Sequence, residues 1–283
     1  MSDITLRLQS LHVYPVKSCA GTSPTEAEIV ETGFDLDRAW MVVDEAGVFV
    51  SQRELPRMAL VQPSFKGGDM ILRAPGMLAL HVSPDRVEAP TQVQVWDDRL
   101  GAFDMGDLCA QWFSDFLGRK LRLARFDPDV RRLSNPRWTG AMEAEYAFQD
   151  AFPFLVVSTA SLAEVNRRLA VAGAAPVTMA RFRPNLVLDG IEAHGEDHLD
   201  EIAFDTPEGP VRLKLVKPCA RCSIPDVDPA TAETGHAVGD VLAGYRADPR
   251  VGGALTFGMN AVVLEGLGRR LAIGASGTAS YAF

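Results

Sequence analysis

Two cysteines separated by two residues, Cys219 and Cys222, carry the greatest chemical potential in this sequence of 283 residues. Lys217 and Arg221 stand beside them in the chain. Nearby positive charge favours the thiolate, which is the form of a thiol that binds metals and attacks electrophiles. The pair is therefore a candidate for metal binding, redox exchange or sulfur transfer.

The residues around the thiols predict a strand followed by a loop. Apolar and polar side chains alternate over 211–215, which is typical of a half-buried strand. Pro218 cannot donate to a sheet ladder, so the strand is expected to break there. Residues 223–234 are rich in Pro, Asp and Thr, and Asp228 with Thr231 fits an Asx-type turn. The thiols should thus lie on an irregular loop at a strand end.

Three interpretations of the pair compete on local grounds. A thioredoxin-type pair begins a helix, but Pro225 and Pro229 oppose a helix directly after Cys222. A zinc site needs two further ligands, and the nearest candidates, His194 and His198, lie in an acidic stretch that is predicted to be solvated. In the third interpretation, the cysteines are two small buried residues. The local pattern alone does not choose among these interpretations.

The segment PCARCSIPDVDPATAE resembles the cysteine loop of the molybdenum cofactor sulfurase C-terminal (MOSC) domain family. That family includes the mitochondrial amidoxime-reducing component and bacterial proteins that reduce hydroxylamino compounds. The resemblance implies that Cys222 is the catalytic thiol that ligates molybdenum. It also implies that Cys219 lies nearby without binding the metal directly.

Four other segments are similar to the same family. YPVKSCAG resembles its N-terminal domain, and PFLVVSTASLAEVNRRL, RFRPNLVLDG and FGMN resemble its MOSC domain. The resemblance implies that a molybdenum cofactor (Mo-molybdopterin) is held by Lys17, Ser18, Arg38, Asp150, Ser158, Arg183, Asn185, Arg221 and Asn260. Some relatives carry tyrosine where this chain has Asn260. A pyranopterin phosphate is a dianion, and several of these residues are basic groups at expected strand ends or turns.

Composition limits the classes of protein to which this chain can belong. Hydrophobic residues at 47% and charged residues at 23% are typical of a soluble globular chain, and no apolar run approaches a membrane span. The formal net charge of −9 argues against a general nucleic-acid surface. The start has no basic or Arg-rich presequence, and four cysteines are too few for a disulfide scaffold. We therefore expect a cytoplasmic protein that binds neither membrane nor nucleic acid.

The first part of the chain reads as short strands with Gly and Pro between them. Hairpins are predicted for 39–45 with 48–52 and for 60–65 with 70–74, and a strand for 92–96. A helix is predicted for 107–117, with Cys109 in the core.

The second part contains a strand, turn and helix unit. Residues 154–157 read as a buried strand, and the helix is expected to start with a capping box from Ser161 to Glu164. The turn before it, Ser158 and Thr159, is an anion-friendly position at a helix N-terminus.

The stretch after this helix carries two arginines. Arg183 precedes Pro184, so we expect it to be extended, with Arg181 pointing the same way.

Many strands and few helices predict an α+β fold that is mostly β. We expect an N-terminal β-barrel-like domain over 1–126 and a MOSC-type β-barrel domain with a few helices over 127–283, with a polar linking stretch between them.

The resemblance implies a molybdenum oxidoreductase that removes oxygen from small N-hydroxylated substrates, such as hydroxylamines and amidoximes, in a two-electron step. A separate flavin or iron–sulfur protein is the expected electron donor. The alternatives are a non-enzymatic carrier of the cofactor, or of a persulfide on Cys222, and a structural zinc protein.

Overall fold

A computed structural model describes residues 4–84, 86–87 and 89–282. The strands are β1 Ile4–Leu11, β2 Glu26–Val30, β3 Gly33–Phe34, β4 Trp40–Val43, β5 Gln62–Lys66, β6 Asp69–Arg73, β7 Leu80–Val82, β8 Ala89–Val95, β9 Asp98–Asp104, β10 Arg122–Phe126, β11 Phe154–Ser158, β12 Leu186–Asp189, β13 Leu199–Thr206, β14 Gly209–Ala220, β15 Ala247–Asp248, β16 Ala254–Glu265, β17 Arg270–Ala272 and β18 Ser276–Tyr281. The helices are α1 Asp107–Leu117, α2 Pro136–Thr139, α3 Thr159–Val171 and α4 Ala237–Ala243. The α+β fold that is mostly β is confirmed.

A closed barrel forms the second half of the molecule. Its strand order is β11-β12-β1-β18-β13-β14-β16, and β16 pairs again with β11 to complete the ring. The pairs are antiparallel except β11 with β12. Alternating side chains of β1, such as Leu6 and Leu8, point into an apolar interior that also contains Phe154, Val156 and Phe204. Period-two alternation therefore places one face of each strand in the core.

Three smaller sheets accompany the barrel in the described residues. Their strand orders are β4-β10-β9-β8, β5-β6-β7 and β17-β2-β3. Helix α1 packs its buried Trp112, Phe113 and Phe116 against the same core as Trp40 and Met70. The helix has the predicted bounds, and Cys109 is buried, as expected. Gly118 ends the helix in the left-handed conformation that glycine tolerates best.

The sheet pairing crosses the predicted boundary at residue 126. Strand β1 lies between β12 and β18 in the barrel, and β2 pairs with β17. The segments at the two ends of the chain are therefore structurally joined, although the division of the chain after residue 126 stays a prediction. This joining brings the residues that follow β1 to the barrel.

Two predictions about strands are wrong. Strand β14 continues through Pro218 to Ala220, with irregular register on both sides of the proline. These irregularities accommodate a residue that cannot donate to the ladder. Residues 48–52 do not form a regular strand, since Val48 and Phe49 make isolated bridges only. The hairpin of β5 and β6 is confirmed.

Candidate functional site

A cleft lies where the N-terminal half meets the barrel. Its volume is about 810 Å³, which includes the space at its open mouth. The residues that were predicted to form the site and that line the cleft are Lys17, Ser18, Arg38, Asp150, Arg183, Asn185, Arg221, Cys222 and Asn260. Cys219 also lines it. Residues separated by more than 200 positions in the sequence thus share one cavity.

Ser158 is the predicted site residue that does not line this cleft. It is fully buried, and its hydroxyl accepts a hydrogen bond from the Ser161 backbone N–H at 3.0 Å. Ser158 is therefore the N-cap of α3, three residues before the predicted cap. The Ser161 hydroxyl instead donates to the buried Glu196 carboxylate. The capping box predicted from Ser161 to Glu164 is wrong.

An ion pair forms one wall of the cleft. The ammonium of Lys17 donates to Asp150 Oδ1 and to the Phe148 carbonyl, both at 2.6 Å. Burial lowers the pKa of Lys17, although Asp150 opposes the change. Burial also raises the pKa of Asp150, but the Lys17 charge and its hydrogen bond outweigh that effect and hold the pKa well below its usual range. The Asp150 side chain is 63% exposed to the cleft, so solvent weakens this pair.

Arg38 connects the N-terminal half to the barrel. Its Nη1 donates to Asp37 Oδ2 at 2.6 Å and to Asn185 Oδ1 at 3.2 Å, and its Nη2 donates to the Arg183 carbonyl at 3.1 Å. The buried Asn185 amide also accepts from the Leu155 N–H. Asn185 is thus a junction between the two halves and not merely a turn cap.

Arg183 has unused hydrogen-bonding capacity in the cleft. Its guanidinium lies 4.2 Å from the centre of the Tyr14 ring, and Nη1 donates to the Cys19 carbonyl. Nη2 is buried and has no partner among the described residues. Burial, followed by the charge of Arg38, lowers the pKa of Arg183 to about 10. A buried donor without an acceptor is costly, so this group favours an anionic or polar ligand.

The predicted extended conformation of Arg183 is wrong. Its φ is +57°, in the left-handed region. Arg181 does not point the same way, since it pairs with Asp228 at 2.8 Å. Ser18 and Arg38 also have positive φ, at 66° and 50°. Such conformations persist where surrounding contacts enforce them, and three of them line this one cleft.

The two thiols have different surroundings. Cys219 is half-buried at the end of β14, and Arg221 Nη1 donates to its sulfur at 3.1 Å. Cys222 is exposed beyond the strand, and Arg53 Nη1 lies 3.7 Å from its sulfur. The Lys217 ammonium, adjacent in sequence, lies instead 5.4 Å from the Trp138 ring centre. The loop begins after Ala220, so the prediction that both thiols lie on it is wrong for Cys219, which is still in β14.

Asn260 lies in the middle of β16, where it pairs in register with Lys217. Its Nδ2 donates to the Lys217 carbonyl at 3.2 Å. The side chain therefore supports the strand that carries Cys219 and leads to Cys222, and it lines the cleft. The expected Asx turn at Asp228 is confirmed, because Oδ1 accepts from the N–H groups of Ala230 and Thr231.

The zinc interpretation finds no support in the geometry. Within the described ranges of the chain, no three His, Cys, Asp or Glu side chains are grouped to hold a metal ion. The acidic stretch is not solvated as predicted, since Glu196 and Asp197 are buried. His194 packs 5.4 Å from the Tyr245 ring, and burial, followed by the charge of Arg246, lowers its pKa to about 4.

Arg53 and Gln149 are among the cleft residues that were not predicted from the sequence. Arg53 reaches the thiol loop from the N-terminal half. Gln149 donates through Nε2 to the carbonyls of Thr32 and Asp37, while its Oε1 is buried without a partner in the described part of the chain. Neither residue carries a local signal in the sequence, apart from the position of Gln149 directly before Asp150.

Family models match both halves of the chain. The MOSC N-terminal beta barrel domain matches residues 5–120, and the MOSC domain matches residues 143–267. The chain belongs to the MOSC family. Mitochondrial amidoxime-reducing component 1 of Mus musculus is 36% identical over 78% of this chain and 65% of its own length.

Other relatives extend this comparison. Mitochondrial amidoxime reducing component 2 of Homo sapiens is 32% identical over 84% of this chain and 72% of its own length. Molybdenum cofactor sulfurase of Homo sapiens is 29% identical over 84% of this chain and 28% of its own length. The MOSC chain thus spans about two thirds of the length of the amidoxime-reducing components. In its described residues, no helix has the length and apolar character needed to cross a bilayer.

The residues of the cleft fit a molybdenum cofactor, the group after which the sulfurase is named. Arg183 Nη2 and Arg221 Nε are buried donors without partners in the described chain, and Gln149 Oε1 is a matching acceptor. A pterin ring with a phosphate offers both acceptors and N–H donors. Two thiols in the same cleft add soft ligands of the type that suit a metal already bound by sulfur.

Proposed function

We propose that this MOSC protein is a molybdenum-cofactor-dependent reductase of small N-hydroxylated compounds. The observation that carries the proposal is the cleft itself, which brings Cys222 together with two arginines that each have one buried nitrogen without an acceptor among the described residues. The amidoxime-reducing components among its relatives support the same class of reaction.

In this proposal, the arginines and Lys17 hold the phosphate and ring of the cofactor. Arg183 and Arg221 supply unpaired donors, and Gln149 supplies an unpaired acceptor. Asp150 offsets the Lys17 charge, so fewer unpaired cations line the cleft before the dianion binds. Cys222 is the thiolate that binds the metal, because it is exposed at the mouth, whereas Cys219 is engaged by Arg221.

When bound, the cofactor would supply two electrons for the conversion of an N-hydroxyl group and two protons to an amine and water. We propose that a separate flavin or iron–sulfur protein provides those electrons. The half-buried walls of the cleft would orient the substrate beside Cys222 and limit the entry of water. Asn260, held by the Lys217 carbonyl, would keep the strand that leads to Cys222 in register.

The test is the reduction of benzamidoxime by the purified chain with reduced viologen as an artificial electron donor. We expect Cys222→Ser to abolish turnover and Cys219→Ser to weaken it less. Full activity in both variants would contradict the assignment of Cys222. Stoichiometric cofactor without turnover of any hydroxylamine or amidoxime would instead favour a cofactor or persulfide carrier.

A further inference from the structure

One buried aromatic ring contacts two of the arginines that line the cleft. The guanidinium carbons of Arg38 and Arg183 lie 4.3 Å and 4.2 Å from the centre of the Tyr14 ring. The tyrosine is buried, with 3% of its surface exposed. The two arginines are 145 positions apart in the chain, so the ring joins cations that come from distant segments.

The backbone around Tyr14 holds the ring in place. Its N–H donates to Asp37 Oδ1 at 2.8 Å, and its carbonyl accepts from the Arg38 N–H at 2.8 Å. A Cβ added at Gly21 would lie 2.6 Å from Tyr14 Cε1, so the backbone of Gly21 packs directly against the ring. The ring therefore has little freedom to move away from the two guanidinium groups.

The ring attracts the arginines without using their hydrogen-bond donors. Burial raises the pKa of Tyr14 to about 12, although Arg183 and Arg38 oppose the change, so the phenol is neutral at neutral pH. The face of a neutral aromatic ring attracts a guanidinium, while the N–H groups in the guanidinium plane stay available. A carboxylate in the same place would accept hydrogen bonds from those N–H groups.

The two arginines differ in how they use these donors. Arg38 donates to Asp37 and to the Arg183 carbonyl, so it is engaged within the chain. Arg183 donates from Nη1 to the Cys19 carbonyl, whereas its buried Nη2 has no partner among the described residues. The stacked arrangement therefore leaves one donor in the wall of the cleft in need of an acceptor.

We propose that Tyr14 is a positioning residue for the phosphate group of a ligand in the cleft. Its ring holds the guanidinium groups of Arg38 and Arg183 so that Nη2 of Arg183 stays available for a phosphate oxygen. The inference rests on the proposed function only for the source of that phosphate, which is then the cofactor. Free phosphate is the other source of the same chemistry.

The test measures the affinity of the cofactor-free chain for inorganic phosphate by isothermal titration calorimetry at low salt. We expect Tyr14→Leu, which removes the ring, to weaken binding about tenfold, on the order of what desolvated cation–π contacts contribute. Tyr14→Phe keeps the ring and loses only the hydroxyl, so its affinity should be within about twofold of the wild type.

A fluorinated ring separates the positioning role from packing. Pentafluorophenylalanine at position 14 keeps the shape of phenylalanine but reverses the charge of the ring face, so it should weaken phosphate binding as Tyr14→Leu does. Tyr245→Leu is the matched control. Tyr245 also lies against an arginine, at 3.6 Å from Arg168, and both stand outside the cleft lining in the described part of the chain. This variant should bind phosphate as the wild type does.

The comparison of the phenylalanine and pentafluorophenylalanine chains decides even if Tyr14→Leu does not fold. Weaker phosphate binding by the fluorinated chain supports the proposal. Equal affinities in these two chains, or a wild-type chain that binds no phosphate, would overturn it.

The molybdenum content of the same variants is a separate readout. If the cofactor is the ligand, the fluorinated ring lowers both phosphate affinity and molybdenum content. If free phosphate is the ligand, it lowers phosphate affinity alone. Ring-dependent phosphate binding in a chain that takes up no molybdenum would support the role of Tyr14 while it contradicts the proposed function.

Discussion

Stability should fall on acidification because of one half-buried histidine. Burial and the charge of Arg246 lower the pKa of His194 from 6.5 to about 4. Between these two values, the unfolded chain binds a proton that the folded chain does not, so the free energy of unfolding falls as the pH falls through this window. At about 1.36 kcal/mol for each pH unit, the loss is on the order of 3 kcal/mol and levels off below pH 4.

The prediction needs a variant that removes the titration without straining the backbone. His194 has φ +62°, and asparagine tolerates that conformation well. We expect urea unfolding from pH 7 to pH 4.5 to show a loss that is roughly 2 to 3 kcal/mol larger for the wild type than for His194→Asn. His198→Asn, which changes an exposed histidine four residues away, should behave as the wild type.

One neighbour acts in the opposite direction. Burial raises the pKa of Glu196, so its contribution to stability is present at low pH and is lost as the pH rises through its folded value. The pH dependence of the wild-type unfolding free energy therefore combines the effects of Glu196 and His194. The difference between wild type and His194→Asn isolates the effect of the histidine. Equal acid sensitivity in these two proteins would refute the reasoning.

Three further predictions concern single residues. Ser158→Ala should cost about 1 kcal/mol of unfolding free energy through the lost N-cap and leave molybdenum content unchanged, as denaturation and metal analysis would show. Arg183→Met should lower cofactor content at least tenfold. It should change the unfolding free energy of the cofactor-free chain by less than about 1 kcal/mol, because it removes a buried cation without a full set of partners. The control Arg181→Met should retain the cofactor. Gly258→Ala should destabilise the chain by roughly 3 kcal/mol in the same denaturation assay, because its φ is +79° and a Cβ would lie 2.7 Å from the Val156 carbonyl oxygen.

Periodic and locally capped elements were predictable from the sequence. Helix α1 has its predicted bounds because apolar residues recur at helical spacing and glycine ends it. The β5 and β6 hairpin follows from its glycine turn. Most of the residues expected to hold the cofactor line one cleft, but that expectation came from resemblance to a family, and their binding of a cofactor stays a prediction.

The misses share a physical cause, which is that long-range contacts overrode local preferences. Pro218 stays within a strand because bulges on both sides absorb its missing donor. Arg183 adopts a left-handed backbone although proline follows it, while its carbonyl accepts from Arg38. Glu196 is buried in a stretch of acidic sequence because Ser161 donates to it. Arg53 reaches Cys222 only through tertiary structure, which a single sequence does not display.

The most direct test of the central claim is an elemental analysis of the chain purified from a host supplied with molybdate. Molybdenum and zinc would be counted per chain in the wild type, in Cys222→Ser and in Cys219→Ser. We predict close to one molybdenum per wild-type chain, its loss in Cys222→Ser and its retention in Cys219→Ser. Zinc without molybdenum, or molybdenum that survives in Cys222→Ser, would contradict the assignment of this cleft as a thiolate-anchored molybdenum site.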